Sequence, residues 1–307
     1  MRILVTGARG MLGYALAPAL ARAHQVTGVD IADCDIRDRD AVRNTFRAHR
    51  PELVMHLAAY TDVDGCELDW RRADECNAEG ARNVAQACRE LGATMLYMST
   101  DYVFDGNQDQ AYSEEAPANP INAYGRSKLQ GERHLQALLE RYFIVRTSWL
   151  FGPKGRNFVA TILEVARQRG ELRVVNNQRG SPTYTRHLAS KLSQLVSTKQ
   201  YGIYHITASG SCSWFEFAQA IVELGGFPGL HVVPISSEQC GRSARRPANS
   251  VLENRRISSE RLGLLPHWRE GLKSYLEELK HDGDRECLLN DQQGKITESG
   301  VPYRDLS

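Results

Sequence analysis

Tyr124 and Lys128 are four residues apart, and Thr100 precedes them in the chain. On a helix, residues at i and i+4 share one face. A free tyrosine ionises near about 10 and a free lysine near about 10.4. An ammonium beside a phenol favours phenolate, so the spacing predicts a Tyr124 pKa below its ordinary value. Such a phenol is an acid suited to protonating a carbonyl oxygen at neutral pH. Thr100 is expected to orient the same oxygen and to stabilise charge developing there. A ketone reduced this way also needs a hydride donor. Gly7-x-x-Gly10-x-x-Gly13, with Arg9, Met11 and Leu12 inside it, supplies a place for one. Glycine lets backbone approach a pyrophosphate, and a helix N-terminus adds amide donors and a favourable dipole. Asp30 lies about 20 residues on, where a carboxylate takes ribose hydroxyls and favours NADH. Arg9 facing a 2′-phosphate would favour NADPH instead, and the sequence leaves both cofactors open. Asp35 and Ile36 are expected to bracket the adenine edge. Ala58, Ala59 and Tyr60 follow the third strand, where a cofactor crosses the sheet edge; Ala59 reads equally well as a small residue lining a helix. Tyr124 and Lys128 are expected to hold the nicotinamide ribose as well.

Those residues need a frame that brings them together. Apolar runs at 2–6, 25–29, 53–57, 94–98 and 143–146 lack period-two alternation, the pattern of parallel strands buried on both faces. Helical periodicity occupies 10–23, 38–49, 70–91 and 122–141. Alternating β and α segments predict an α/β fold, a Rossmann-type doubly wound parallel sheet. After Arg146, glycines and prolines punctuate shorter elements: helices at 156–169, 184–197, 213–225 and 268–280, and strands at 172–175, 203–206 and 231–234. This predicts a smaller α+β substrate lobe. The expected division is 1–150 with about 178–202 as the dinucleotide domain, about 151–177 and 203–280 as the substrate lobe, and 281–307 as a mobile tail.

Bulk properties narrow the partners. The 307 residues carry 38 Lys and Arg against 37 Asp and Glu, so no excess charge points to nucleic acid or a membrane surface. No apolar run approaches the roughly 20 residues of a membrane span. The opening residues are too short for a signal peptide and run straight into the glycine loop. Seven cysteines, an odd number without Cys-x-x-Cys spacing, argue for reduced thiols in a cytoplasm rather than a disulfide framework or zinc site. The histidines are scattered and show no metal spacing.

Longer strings narrow the reading further. The glycine loop, Thr100 and Tyr124-x-x-x-Lys128 resemble the extended short-chain dehydrogenase/reductase superfamily. Ser99-Thr100-Asp101-Tyr102-Val103-Phe104-Asp105-Gly106, Pro120-x-Asn122-x-Tyr124-Gly125-x-x-Lys128-x-x-Gly131-Glu132, Arg146-Thr147-Ser148-Trp149 and Arg246-Pro247-x-Asn249-Ser250 resemble the dTDP-4-dehydrorhamnose reductase family. The resemblance runs from Met1 to about Lys280. It implies NADPH- or NADH-dependent reduction of the 4-keto group of dTDP-4-dehydro-L-rhamnose, with Tyr124 as proton donor. By position it implies that Thr61, Asp62, Val63, Asp64, Thr100, Asp101, Tyr102 and Trp149 border the sugar, with Asn157 and Arg246 towards the nucleotide. An indole offers a flat apolar face and an arginine a fork for diphosphate oxygens; Trp149 as a core indole and Arg246 as a solvated surface arginine are the alternatives. Two other functions remain open: a 4-ketoreductase of another nucleotide-linked deoxysugar, or a non-catalytic dinucleotide-binding regulatory subunit. Some family members hold a magnesium ion at a dimer contact. The corresponding positions here are Ala15 and Arg186-His187, which cannot bind a hard cation. No metal is expected, and the chain is expected to be a monomer or a homodimer.

Overall fold

The computed structural model describes residues 1–168 and 170–290. β1 (Arg2–Thr6), β2 (Gln25–Val29), β3 (Leu53–His56), β4 (Thr94–Thr100) and β5 (Tyr142–Thr147) form a parallel sheet with a sixth strand, Gly202–His205. The order is Gly202–His205, β5, β4, β3, β1, β2. The direction of winding therefore reverses between β1 and β3. In such sheets ligands bind beyond the strand C-termini at that reversal.

Helices cover both faces. α1 (Met11–Ala21) and α8 (Thr185–Leu195) pack on one, where Leu16, Leu20, Leu188 and Leu192 bury against Ile3, Val5 and Met55. α2 (Arg39–His49), α5 (Gly80–Leu91) and α6 (Ala123–Leu138) cover the other, where Val42, Phe46, Val84 and Leu135 meet Leu4, Val54 and Tyr97. Each fully buried Leu, Ile or Phe contributes about 1.5–3 kcal/mol. Local signals set the helix starts: Asp38 accepts from the amides of Asp40 and Ala41, and Asn122 accepts from Gly125. A second core lies between α7 (Phe158–Gln168), α9 (Trp214–Gly225) and the C-terminal helix Trp268–Asn290, around Phe151, Ile162, Phe217, Ile221 and Leu272. No described helix is long and apolar enough to cross a membrane.

Two expectations are corrected, and a third falls largely outside the described residues. The strand Gly202–His205, assigned to the second lobe, pairs in parallel with β5 as the edge of the central sheet. Ile257 and Leu265 join the same core. The 203–280 segment thus contributes to both cores, because an apolar strand needs a ladder partner and the free edge of β5 supplies one. Helix 70–91 is not continuous. α3 (Val63–Leu68) and α4 (Trp70–Asp74) lead into a π-helical turn, Glu75–Glu79, before α5. Finally, 281–290 continue the last helix, whereas the rest of the expected tail, 291–307, lies outside the described residues.

Candidate active site

One cleft of about 800 Å³ opens along the C-terminal ends of β1, β2, β3 and β4. At its floor Gly7 adopts φ +70°, a backbone region that disfavours other residues. A Cβ there would stand 2.7 Å from the Ala58 amide nitrogen. A Cβ on Gly13 would stand 2.5 Å from the Ala8 carbonyl oxygen. α1 starts after Gly10 with no side chain capping it and no acidic residue in its first turn. Its first amides therefore face the cleft uncapped, as an anion-binding end requires.

The charges around the second strand are internally matched. Asp30 accepts from the amides of Arg9 (3.0 Å) and Ile31 (2.9 Å). The Arg9 guanidinium pairs with Asp33 at 3.1 Å, and Arg37 with Asp35 at 2.6 Å. The Tyr60 backbone is clamped by Asn77, which accepts from its amide at 2.8 Å and donates to its carbonyl at 2.9 Å. The same side-chain amide donates to Ser127 at 3.0 Å, tying the π turn to α6. Helical distortions of this kind cluster at functional sites.

Thr100, Tyr124 and Lys128 all face the cleft. Lys128 is only 3% exposed, with Nζ 4.0 Å from the Tyr97 ring centroid. Burial pulls its pKa down to about 7, against the raising influence of the Glu132 carboxylate. Tyr124 moves the other way. Burial raises its pKa well above the ordinary value, the charge of Asp101 adds to this, and the Thr100 hydroxyl opposes it by hydrogen bonding. The expected lowering by an ammonium is therefore not what the structure shows: desolvation is the largest influence on each group. Behind them, Glu132 accepts from Ser99 at 2.5 Å and from Arg146 at 2.9 and 2.6 Å. All three are buried, so this network joins α6 to the ends of β4 and β5.

The far wall is aromatic. Trp149 adopts φ +48° and stacks on Trp214 at 3.5 Å between centroids and 6° between planes. Gly180 permits this, since a Cβ there would meet the indole at 2.4 Å. Tyr102 meets Tyr124 edge to face at 6.1 Å.

The cleft wall gathers Gly7, Arg9, Gly10, Met11, Leu12, Asp30, Asp35, Ile36, Ala58, Ala59, Tyr60, Thr61, Val63, Thr100, Asp101, Tyr102, Tyr124, Lys128 and Trp149. Four expected substrate residues lie behind it. Asp62 caps α3 through Gly65 at 3.0 Å. Asn157 accepts from Ala160 at 3.1 Å and donates to the Gly152 carbonyl at 3.0 Å. Asp64 grips Arg246 at 2.8 Å and Arg242 at 3.3 Å and accepts from the Ala244 amide. Burial raises the Asp64 pKa, but the hydrogen bonds from Arg246 and Ala244 prevail and carry it to about 2. Arg246 also bonds the Tyr102 hydroxyl, so it reaches the cleft through that ring. Sequence reasoning missed Arg72, Arg156 and Trp214 in the wall and Asn77 behind it. Arg72 stacks 4.6 Å over the Tyr60 ring. Trp214 opens α9, and nothing near it in the chain marks it as a partner of Trp149.

The reversal point, the glycine loop beneath it and a hydroxyl–tyrosine–lysine set on β4 and α6 define a member of the short-chain dehydrogenase/reductase class. Residues 1–281 match the family described as RmlD substrate binding domain. The spore coat polysaccharide biosynthesis protein SpsK of Bacillus subtilis is 42% identical over 279 residues, covering 90% of this chain and 97% of its own. A dTDP-4-dehydrorhamnose reductase of Streptomyces griseus is 41% identical, covering 88% and 91%. The crystal structure of dTDP-4-dehydrorhamnose reductase from Bacillus anthracis in complex with NADP superimposes with a TM-score of 0.88 at 40% identity, covering 90% of this chain and 99% of that one. The chain belongs to the dTDP-4-dehydrorhamnose reductase family.

Proposed function

We propose that this chain reduces the 4-keto group of dTDP-4-dehydro-L-rhamnose to give dTDP-L-rhamnose, using NADPH or NADH, with Tyr124 as proton donor. The observation that carries the reading is convergence: Thr100, Tyr124 and Lys128 border the same cleft as the glycine loop. A dinucleotide fits what is there. The close backbone approach at Gly7 and Gly13 leaves no room for side chains, and the uncapped amides of α1 suit a pyrophosphate. Asp30 would take ribose hydroxyls, and Lys128 would hold the ribose nearest the reaction.

When bound, the reduced nicotinamide supplies hydride to the carbonyl carbon. The Tyr124 phenol donates its proton to the carbonyl oxygen. Thr100 holds that oxygen and the phenol in line. As proton transfer leaves a phenolate, Lys128, one helical turn further along α6, would gain a neighbour of opposite charge and bind its own proton more tightly. Its pKa near 7 makes it responsive to that change. The Trp149–Trp214 pair offers a flat apolar wall for a sugar or base ring.

The test is spectrophotometric. Mixing the protein with NADPH or NADH and dTDP-4-dehydro-L-rhamnose should consume reduced cofactor, and failure with both refutes the reading. Tyr124→Phe should lose about 10²- to 10⁴-fold in kcat while cofactor binding, followed by fluorescence, is retained. A higher kcat/KM on another dTDP-4-keto sugar would reassign the substrate, because a site built for one hydroxyl pattern leaves polar groups unpaired with another.

A further inference from the structure

Each reduction leaves Tyr124 as a phenolate, which must regain a proton before the next. Asp101 stands where it can provide one. It follows Thr100 at the end of β4 and is 3% exposed. Its Oδ1 accepts from Thr100 Oγ1 at 3.0 Å. Its Oδ2 is buried without a hydrogen-bond partner. The Ser250 hydroxyl lies beside the carboxyl but donates to the Arg179 carbonyl at 3.3 Å. Arg246, which contacts the neighbouring Tyr102, is committed to Asp64. A carboxylate here would be a buried charge met by hydrogen bonds but by no ion pair among the described residues; a neutral carboxyl has an O–H to give. Thr100 Oγ1 accepts from the Tyr102 amide at 3.1 Å and faces the Tyr124 phenol. The threonine hydroxyl is thus a bridge between the carboxyl and the phenol.

We propose that Asp101 is protonated in the resting enzyme and returns a proton to the Tyr124 phenolate through the Thr100 hydroxyl. The proposal rests on the ketone-reductase reading above. The phenolate takes the Thr100 hydroxyl proton as Thr100 takes the carboxyl proton from Oδ1. One O–H bond forms at Tyr124, one breaks at Asp101, and Thr100 ends as it began. The carboxylate regains its proton from solvent when product leaves, since Asp101 borders the cleft. The groups around the carboxyl agree with this role. Burial raises its pKa to about 7, offset in part by hydrogen bonds from Ser250, Thr100 and the amides of Asp101 and Tyr102. The titratable groups it influences are Tyr124, from α6, and Tyr102, on its own turn. Arg246 and Asp64 act on Tyr102 from the opposing loop and α3. Both protonation states of Asp101 are therefore reachable at neutral pH.

The experiment compares the full-length protein with Asp101→Asn, which keeps the shape and loses the transferable proton. On rapid mixing with excess NADPH and dTDP-4-dehydro-L-rhamnose, the variant should oxidise its first equivalent faster than any that follow. Later turnovers should then slow by about a hundredfold, the low end of a general acid's contribution. Wild type should show no such break. Infrared spectra of the cofactor-free protein should contain a protonated-carboxyl band that titrates near neutral pH and is lost in Asp101→Asn. Equal steady-state rates in the two proteins overturn the relay. So does a first turnover slowed as much as later ones, which would mark a binding role. Should the variant not fold, the infrared titration of wild type and Asp101→Glu decides: no neutral-pH carboxyl band, or one that Asp101→Glu leaves unmoved, overturns the proposal. If wild type oxidises neither NADPH nor NADH with this sugar, the functional reading fails, while the infrared titration still reports on Asp101.

Discussion

Asp64→Asn should destabilise the protein by about 2 kcal/mol at neutral pH. Asp64, on α3, holds the loop that carries Arg242, Ala244 and Arg246. Its side chain is 20% exposed and that of Arg246 10%, so solvent screens the pair only in part. Its carboxyl falls from the ordinary 3.8 to about 2. Each tenfold change in proton affinity is worth about 1.4 kcal/mol, and partial screening trims the total to the figure above. The sign follows from the direction in which the carboxyl moves. A carboxyl more acidic in the folded chain stabilises it above the unfolded pKa and loses that stabilisation as pH falls through the folded value. Urea unfolding at pH 7 measures the difference between the two proteins. The same measurement at stepped pH should show the difference narrowing below about pH 4. A difference under about 0.5 kcal/mol at pH 7, the range of exposed pairs, refutes the argument. So does a difference that ignores pH.

Two more outcomes follow from the same geometry. Gly7→Ala should cost at least about 1 kcal/mol from its left-handed backbone alone and should abolish cofactor binding, because the new methyl meets Ala58 at 2.7 Å; unchanged affinity by titration calorimetry would count against the glycine-loop assignment. His56 and His205 are both held down to about 3, first by burial and then by Lys128 and Arg146 respectively. A histidine whose folded pKa lies below its unfolded value of about 6.5 contributes fully above that pH and loses its contribution as pH falls towards the folded value. At pH 4 the loss is on the order of 3 kcal/mol each, so Tm should drop steeply between about pH 6.5 and 4, and a flat Tm over that interval refutes it.

The parallel strands were legible because burial on both faces leaves uninterrupted apolar runs, as at Leu53–His56. The glycine loop and the Tyr124–Lys128 spacing were legible because both are local, set by one turn and one helix. The π turn at Glu75–Glu79 was not, since Asn77 is drawn out of helical register by Tyr60 and Ser127, partners 17 and 50 residues away. The strand Gly202–His205 reads from its own residues as a strand, but its sheet is decided by the free edge of β5. Trp149 finds Trp214 only once α9 docks. Arg246 finds Asp64 across 182 residues and bonds Tyr102, contacts that its own neighbours in the chain do not announce.

The chain by itself determined which groups are present and in what order along β4, α6 and the first turn, because backbone periodicity and short spacings are written residue by residue. Tertiary structure alone decided their state. Water excluded from around Tyr124, Lys128 and Asp101 moves a phenol up, an amine down and a carboxyl to about 7. Desolvation depends on everything packed nearby, and no local spacing encodes it.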